Sequence, residues 1–137
     1  VRYFAGKKCF RLKNLKYKFQ IMEKVQSEPF FIADQEKIYT AGEGITRQFI
    51  GYDNSLMMVK VMFEKGAIGY KHQHMHAQTT YVVSGKFEAT IGSNTKILQA
   101  GDGFYAEPDI LHGCVCLEEG ILIDVFSPIR EDFYETL

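Results

Sequence analysis

The sequence predicts one all-β domain, an antiparallel sandwich or barrel. Val, Ile, Thr and aromatic residues, which favour strands, crowd the region from about residue 30 to residue 128. Short strand-like segments recur roughly every ten residues between Gly-marked turns, a spacing typical of small antiparallel folds. No useful stretch has the hydrophobic period of a helix. With 137 residues, 46% of them apolar, the chain can form a single compact core.

Nine strands are predicted along the chain, each bounded by turn residues. A turn at 41–44 precedes the first strand, in which Ile45, Arg47 and Phe49 share one face. Pro128 ends the last strand, and residues 129–137 form a short helix or a tail. The predicted strands are 45–52, 56–63, 70–74, 79–84, 86–91, 95–99, 104–106, 112–117 and 120–127.

The N-terminus differs from the rest of the chain in charge. Residues 1–21 carry seven Lys and Arg and no acid, which leaves 9 of the 16 basic residues and all 17 acidic residues for the rest. This segment could bind phosphate-rich partners. We favour a basic N-terminal extension, residues 1–28, outside the functional domain, with Met22 as a candidate native start. The single domain is predicted to span residues 29–137.

Charge, hydropathy and cysteines exclude several classes of protein. The net charge of -1 carries no nucleic-acid signature. No apolar run of about 20 residues could span a membrane, and no secretory signal is evident. The cysteines Cys9, Cys114 and Cys116 are odd in number, and neighbours two apart on a strand do not readily form a disulfide. The sequence therefore predicts a cytoplasmic protein that binds neither nucleic acid nor membrane.

A histidine cluster is the main functional signal. Three of the four histidines, His72, His74 and His76, alternate along five residues, and the fourth is His112. On a strand, alternate side chains share a face, and imidazole is a common ligand of transition metals. His72 and His74 would be about 6.6 Å apart, close enough to converge on one ion. The alternative is an exposed histidine-rich loop.

The role of Gln78 depends on the path of the chain. On a straight strand Gln78 would lie roughly 20 Å from His72 and could not share the ion. Either Gln78 is not a ligand, or the chain turns near residues 75–77 and Gln78 begins the next strand. In the second case His76 lies at the turn, near the site but not necessarily on the metal.

These residues resemble the two motifs of the cupin family. Gly66, His72-x-His74, Gln78 and Gly85 are spaced as in the first motif, in which Glu usually stands at the position of Gln78.

The second motif is a looser match. Gly101 and the run Glu-Pro-Asp-Ile-Leu-His ending at His112 resemble it, but Glu107 and Asp109 replace the usual Pro and Gly. Cys116 replaces the usual Asn. The resemblance implies a cupin-type antiparallel double-stranded β-helix, or jelly-roll barrel, that forms a homodimer. It also implies one divalent transition metal per chain (Zn, Ni, Mn, Fe or Co) held by His72, His74, Gln78 and His112.

A narrower resemblance concerns the activity. The run His-x-His-x-His-x-Gln, the run Tyr-Val-Val-Ser-Gly-Lys-Phe-Glu and the C-terminus resemble small single-domain cupins of pectin and alginate breakdown. Those proteins convert 4,5-unsaturated monouronates to linear keto forms. In that group Gln is among the metal ligands, and the working Asp, Phe and Arg match Asp124, Phe126 and Arg130. Related cupins of unknown activity share this ending.

The chemistry is compatible with that implication. Neutral ligands leave a metal its full charge, so it can act as a Lewis acid on a sugar acid. Asp124, on the same strand face as Phe126, could move a proton, and Arg130 could bind the substrate carboxylate. The alternative for Asp124 is an ion pair with Arg130 that anchors the C-terminus. Two competing functions are a non-catalytic metal- and sugar-binding cupin and a three-histidine iron dioxygenase.

Overall fold

The computed structural model describes residues 23–137, so most of the predicted basic extension lies outside the described residues. The described part contains eight strands and one short helix. They are β1 (Tyr39–Gly42), β2 (Ile45–Tyr52), β3 (Met57–Phe63), β4 (Ile68–His72), β5 (Ala77–Ile91), β6 (Asn94–Gln99), β7 (Gly103–Ala106), β8 (His112–Ser127) and α1 (Glu131–Tyr134). The predicted all-β class is confirmed.

Two long strands, β5 and β8, organise the sheet. β8 pairs with β3, β4 and β5, and β5 also pairs with β6 and β7; every pairing is antiparallel. Different halves of each long strand meet different neighbours: the start of β8 pairs with β4, and residues 120–126 pair with β3. This connectivity rolls the sheet into the predicted jelly-roll barrel.

Two predicted strand breaks are wrong. Gly85 and residues 118–120 were expected to end strands, but they lie inside β5 and β8. Gly85 has a φ of 83°, and the register between the two strands shifts beside it. A Cβ at Gly85 would lie 2.5 Å from the carbonyl oxygen of Glu119. Glycine is therefore needed for a bulge that bends two continuous strands rather than for a turn.

The N-terminal edge contains structure that the sequence did not predict. Residues 39–42 form β1, where part of a turn was expected. Gln26 forms an isolated bridge with Asp53, and the Ser27 N–H donates to the Tyr52 carbonyl at 2.9 Å. The chain therefore contacts the barrel before residue 29; the predicted domain boundary itself stays a prediction.

The hydrophobic core lies on the inner face of the barrel. β3 alternates strictly, and its inward residues pair with β8 so that Met57 lies opposite Phe126 and Val59 opposite Asp124. Each large apolar side chain buried here contributes about 1.5–3 kcal/mol. Asp124 therefore points inward among apolar neighbours. The core comprises Ile45, Phe49, Met57, Val59, Val61, Phe63, Ala67, Val82, Phe87, Cys116, Leu122, Phe126 and Ile129.

The C-terminal helix is short and is anchored to the barrel. Ile129 is buried, and Phe133 of α1 packs against the core. Their burial positions Arg130, which directly precedes the helix. Across residues 23–137, no helix has the length and apolar character needed to cross a membrane.

Candidate metal centre and its cavity

Three histidines meet where β4 and β8 begin to separate. His72 ends β4 and lies opposite His112, the first residue of β8, while His74 follows in the connection to β5. Their ligand-capable nitrogens all lie within 4.8 Å of one another. Imidazoles this close can bind one transition metal ion. The predicted strand 70–74 is wrong at both ends, since β4 spans 68–72.

The chain turns between His72 and Gln78, the second of the two paths that the sequence left open. Residues 73–76 lie outside any strand, and Gln78 is the second residue of β5. Its side-chain Oε1 lies 3.0 Å from Nε2 of His74 and 3.0 Å from Nε2 of His112. His76 occupies the turn and is not among the three clustered histidines.

A backbone carbonyl orients each clustered histidine. Nδ1 of His72 and Nδ1 of His112 each lie 2.8 Å from the carbonyl oxygen two residues earlier, and Nδ1 of His74 lies 3.0 Å from that of His76. A carbonyl oxygen can only accept, so each Nδ1 carries the proton and donates it. Each Nε2 then keeps a lone pair, which is the state in which histidine binds a metal.

The donor set fits a metal ion. The Nε2 lone pairs of His74 and His112 face the Gln78 carbonyl oxygen, which is also an acceptor, with no proton between them. Three facing lone-pair donors repel one another, and a cation among them removes that repulsion. Neutral nitrogen and oxygen donors are suited to divalent transition metals, although they do not select one of them.

Burial keeps two of the three clustered histidines, His74 and His112, neutral. Burial first, and the positive charge of Arg130 second, lower the pKa of His74 to about 4. Burial also lowers the pKa of His112. Both rings therefore stay unprotonated at neutral pH, as metal ligation requires.

Hydrogen bonds join the cluster to Asp124. The Gln78 amide donates to the Thr80 hydroxyl at 3.0 Å and makes a longer contact of 3.4 Å with Oδ1 of Asp124. The Thr80 hydroxyl donates to the same Oδ1 at 2.6 Å. This network turns the amide nitrogen of Gln78 toward Asp124 and its oxygen toward the histidines.

Asp124 is suited to hold or release a proton near neutral pH. Burial raises the pKa of its carboxyl to about 6, and the hydrogen bonds from Thr80 and Gln78 oppose that rise. The side chain lies on the inner face of β8 and keeps partial access to solvent.

Arg130 has a different partner from the one considered for it. Its Nε and Nη2 donate to the two carboxylate oxygens of Asp132 at 2.9 and 2.7 Å. The alternative interpretation of Asp124, an ion pair with Arg130, is therefore wrong: the hydrogen bonds of Asp124 come from Thr80 and Gln78.

Phe126 contacts both the histidine cluster and Arg130. Its ring is buried, and its centroid lies 5.7 Å from that of His74. Cζ of Arg130 lies 5.2 Å from the same centroid. Phe126 therefore offers an apolar surface next to both a candidate metal ligand and a cation.

A cavity of about 670 Å³ reaches this region. His72 is the one clustered histidine that lines the cavity. Arg47, Arg130 and Phe133 line it as well. Its size falls within the usual range for small-molecule sites. The cavity therefore connects the candidate metal centre with two guanidinium groups.

The two cysteines of the described chain do not look like ligands. Burial raises the pKa of the Cys114 thiol to about 12, and burial also raises that of Cys116. A thiol binds a metal as the thiolate, and a raised pKa disfavours the thiolate form of both cysteines. They act as small apolar side chains, with Cys116 buried and Cys114 partly buried.

Sequence reasoning missed Thr80 and Arg47. Thr80 has the same strand parity as Gln78, so the period of two could have placed it on the same face. Arg47 lies between Ile45 and Phe49 on the face that is apolar at both neighbouring positions. A charged residue in that pattern was the available signal.

Comparisons with known proteins agree with this architecture. Residues 59–126 match the model of the cupin domain family. The chain is 47% identical over 106 residues to the pectin degradation protein KdgF of Dickeya dadantii, covering 76% of this chain and 96% of that protein.

Two solved structures resemble the chain. An RmlC-like cupin from Shewanella frigidimarina NCIMB 400 is 49% identical, with a TM-score of 0.77 over 79% of this chain and 97% of that one. KdgF from Halomonas sp. is 38% identical, with a TM-score of 0.75 over 78% and 99%. With its jelly-roll barrel and histidine cluster, the chain therefore belongs to the cupin family and is a small cupin resembling the KdgF pectin degradation proteins.

Proposed function

We propose that this protein opens the ring of a 4,5-unsaturated uronate and converts it to the linear keto form in a metal-dependent reaction. The name of the Dickeya relative, a pectin degradation protein, supports a sugar-acid substrate. The reaction is an isomerisation, so it needs neither an oxidant nor a second substrate.

Four neutral side chains would hold the metal. A bound divalent ion supplies Lewis acidity toward a hydroxyl or carbonyl oxygen of the substrate. Because no ligand is charged, the ion keeps its full positive charge. Zn, Ni, Mn, Fe and Co all suit the donors, which are His72, His74, Gln78 and His112.

We assign proton transfer to Asp124. Its carboxylate accepts the proton of the C1 hydroxyl while the bond between C1 and the ring oxygen breaks. This gives an aldehyde at C1 and an enolate at C5. Asp124 then returns the proton to C4, and the enolate becomes a ketone at C5. One proton has moved from the C1 hydroxyl to C4, so atoms and charge balance.

Phe126 and Arg130 are assigned to positioning the substrate. The buried Phe126 ring offers an apolar surface beside His74 that excludes water from the reacting atoms. Arg130 contacts a substrate oxygen through Nη1, since Asp132 occupies its Nε and Nη2. Its positive charge favours the enolate as it forms.

One observation supports the proposal most directly: the inward-facing carboxyl of Asp124 is connected to the candidate ligand Gln78 through the Thr80 hydroxyl and a 3.4 Å contact with the Gln78 amide. An inward-facing carboxyl among apolar residues is costly unless it has a task or partners. A cupin that only binds metal and sugar has no need of Asp124. The alternative iron dioxygenase would consume oxygen, which ring opening does not.

The first test compares metal-loaded wild type with Asp124→Asn. Loss of the 4,5-unsaturated uronate is followed by its ultraviolet absorbance and by proton NMR. We expect turnover by the wild type and a fall in kcat of about 10²- to 10⁴-fold in the variant, with metal content unchanged. Glu88→Gln removes an exposed carboxylate from β5 and serves as the control.

Absence of turnover by folded, metal-loaded wild type would contradict the proposal. Oxygen uptake with ferrous iron would then favour the dioxygenase, and sugar binding without uptake would favour the non-catalytic cupin. The cytoplasmic location and the homodimer stay predictions; size-exclusion chromatography with light scattering tests the second.

A further inference from the structure

We infer that Arg47 is the principal binding residue for the carboxylate of the sugar acid. The inference rests on the proposed function and extends it to a residue outside the motifs. Arg47 lies on the inner face of β2, between the buried side chains of Ile45 and Phe49. It lines the cavity that reaches the histidine cluster through His72.

The buried Nε–H donor of Arg47 is unsatisfied within the described part of the chain. It has no hydrogen-bond partner among residues 23–137. The two ion pairs formed in that part of the chain are Lys86 with Glu118 and Arg130 with Asp132, so neither satisfies Arg47. Burying an unpaired cation is costly, and a bound anion removes that cost.

Aromatic stacking holds Arg47 in place. Its Cζ lies 3.9 Å from the centroid of Phe133 and 5.4 Å from that of Phe49. Stacking on a ring face fixes the plane of the guanidinium but occupies none of its N–H donors. Arg47 is therefore preorganised as a donor and lacks only its ligand.

The second arginine is less available. Arg130 also stacks on Phe133, with Cζ 4.0 Å from the centroid, but Asp132 takes two of its donors in a bidentate pair. Burial first and the neighbouring Arg130 second lower the pKa of Arg47, and Asp132 opposes that shift. Two guanidinium groups therefore share the single carboxylate of Asp132.

The cavity favours a carboxylate near the arginines. Its other charged lining residues are Glu43, Glu64 and Lys65, and Glu64 lies beside Gly44 in the turn between β1 and β2. The two glutamates repel an anion, whereas two guanidinium groups together attract it. A carboxylate matches the guanidinium in shape and can accept two parallel hydrogen bonds. At about 670 Å³ the cavity has room for a monosaccharide that contacts both Arg47 and the histidine side.

The test separates carboxylate recognition from turnover. Isothermal calorimetry measures the binding of galacturonate and of its uncharged methyl ester to the metal-loaded protein. We expect wild type to prefer the acid, and Arg47→Gln to bind the acid about 10- to 100-fold more weakly and the ester unchanged. Arg47→Lys should be intermediate, because an ammonium cannot form the bidentate pair. Lys96→Gln, which removes an exposed charge, is the control.

Three results would overturn the inference: no preference for the acid in wild type, an unchanged preference in Arg47→Gln, or an equal loss for acid and ester. Thermal melting checks the fold of each variant, and if Arg47→Gln fails to fold, Arg47→Lys decides. If the wild type shows the preference but does not turn over the unsaturated uronate, the proposed function fails while the assignment of Arg47 stands.

Discussion

The cavity has two sides that are built in different ways. On the histidine side, His72, His74 and His112 are each oriented by a main-chain carbonyl, and burial lowers the pKa of His74 and of His112. On the arginine side, Arg47 and Arg130 are charged and stack on one aromatic ring. Neutral, backbone-oriented lone pairs suit a cation, and cations held by stacking suit an anion. The same barrel can therefore receive a metal ion and an anion at adjacent places.

The largest effect should come from breaking the histidine side. His112→Ala removes one of three clustered nitrogens, so we expect metal affinity to fall by about 100-fold or more and turnover to be lost with it. Metal titration of the purified apoprotein measures the affinity. His76→Ala is the matched control, because His76 lies beside His74 but outside the cluster. Equal losses in both variants would contradict the three-histidine assignment.

A smaller effect should follow from weakening the hydrogen bonds that connect the histidine side to Asp124. Thr80→Val keeps the side-chain shape but removes the hydroxyl that joins Gln78 to Asp124. We expect kcat to fall about tenfold, since a buried partner is left unsatisfied, while the metal stays bound. Steady-state kinetics and metal analysis measure the two quantities.

The control for this variant is Thr79→Val, which removes an exposed hydroxyl next to it on β5. A loss in Thr80→Val that is no larger than in Thr79→Val would show that the network does not orient Asp124.

The histidine side was largely predictable from the sequence, and the arginine side was not. His72, His74 and Gln78 lie within seven residues, so local spacing alone limited their arrangement to two paths. Arg47 and Arg130 are 83 positions apart, and both stack on Phe133, which packs against the barrel. When two residues meet through a third side chain, no local spacing in the sequence predicts their contact.

The fold shows a related limit. The alternation of β2 and β3 predicted their positions closely, because a half-buried strand has a period of two. At Gly85 the same local signal, a glycine after a β-rich run, marks a bulge rather than a turn. Whether a bulge or a turn forms at Gly85 depends on whether β8 pairs with β5 there. That pairing is long-range, so the local sequence does not predict it.

The smallest effect concerns whether Arg130 can bind the substrate carboxylate when Arg47 is removed. Asp132 is mostly exposed but Arg130 is buried, so removing the carboxylate leaves a buried guanidinium without its ion pair. Asp132→Asn should therefore lower the melting temperature, and it frees Nε and Nη2 of Arg130 for another carboxylate. In the Arg47→Gln background we expect this second change to strengthen galacturonate binding by about threefold, because one bidentate site replaces another. In the wild-type background the gain should be smaller, since Arg47 already holds the carboxylate.

A double variant that binds no better than Arg47→Gln would show that Arg130 cannot reach the acid, and that the arginine side has a single binding group.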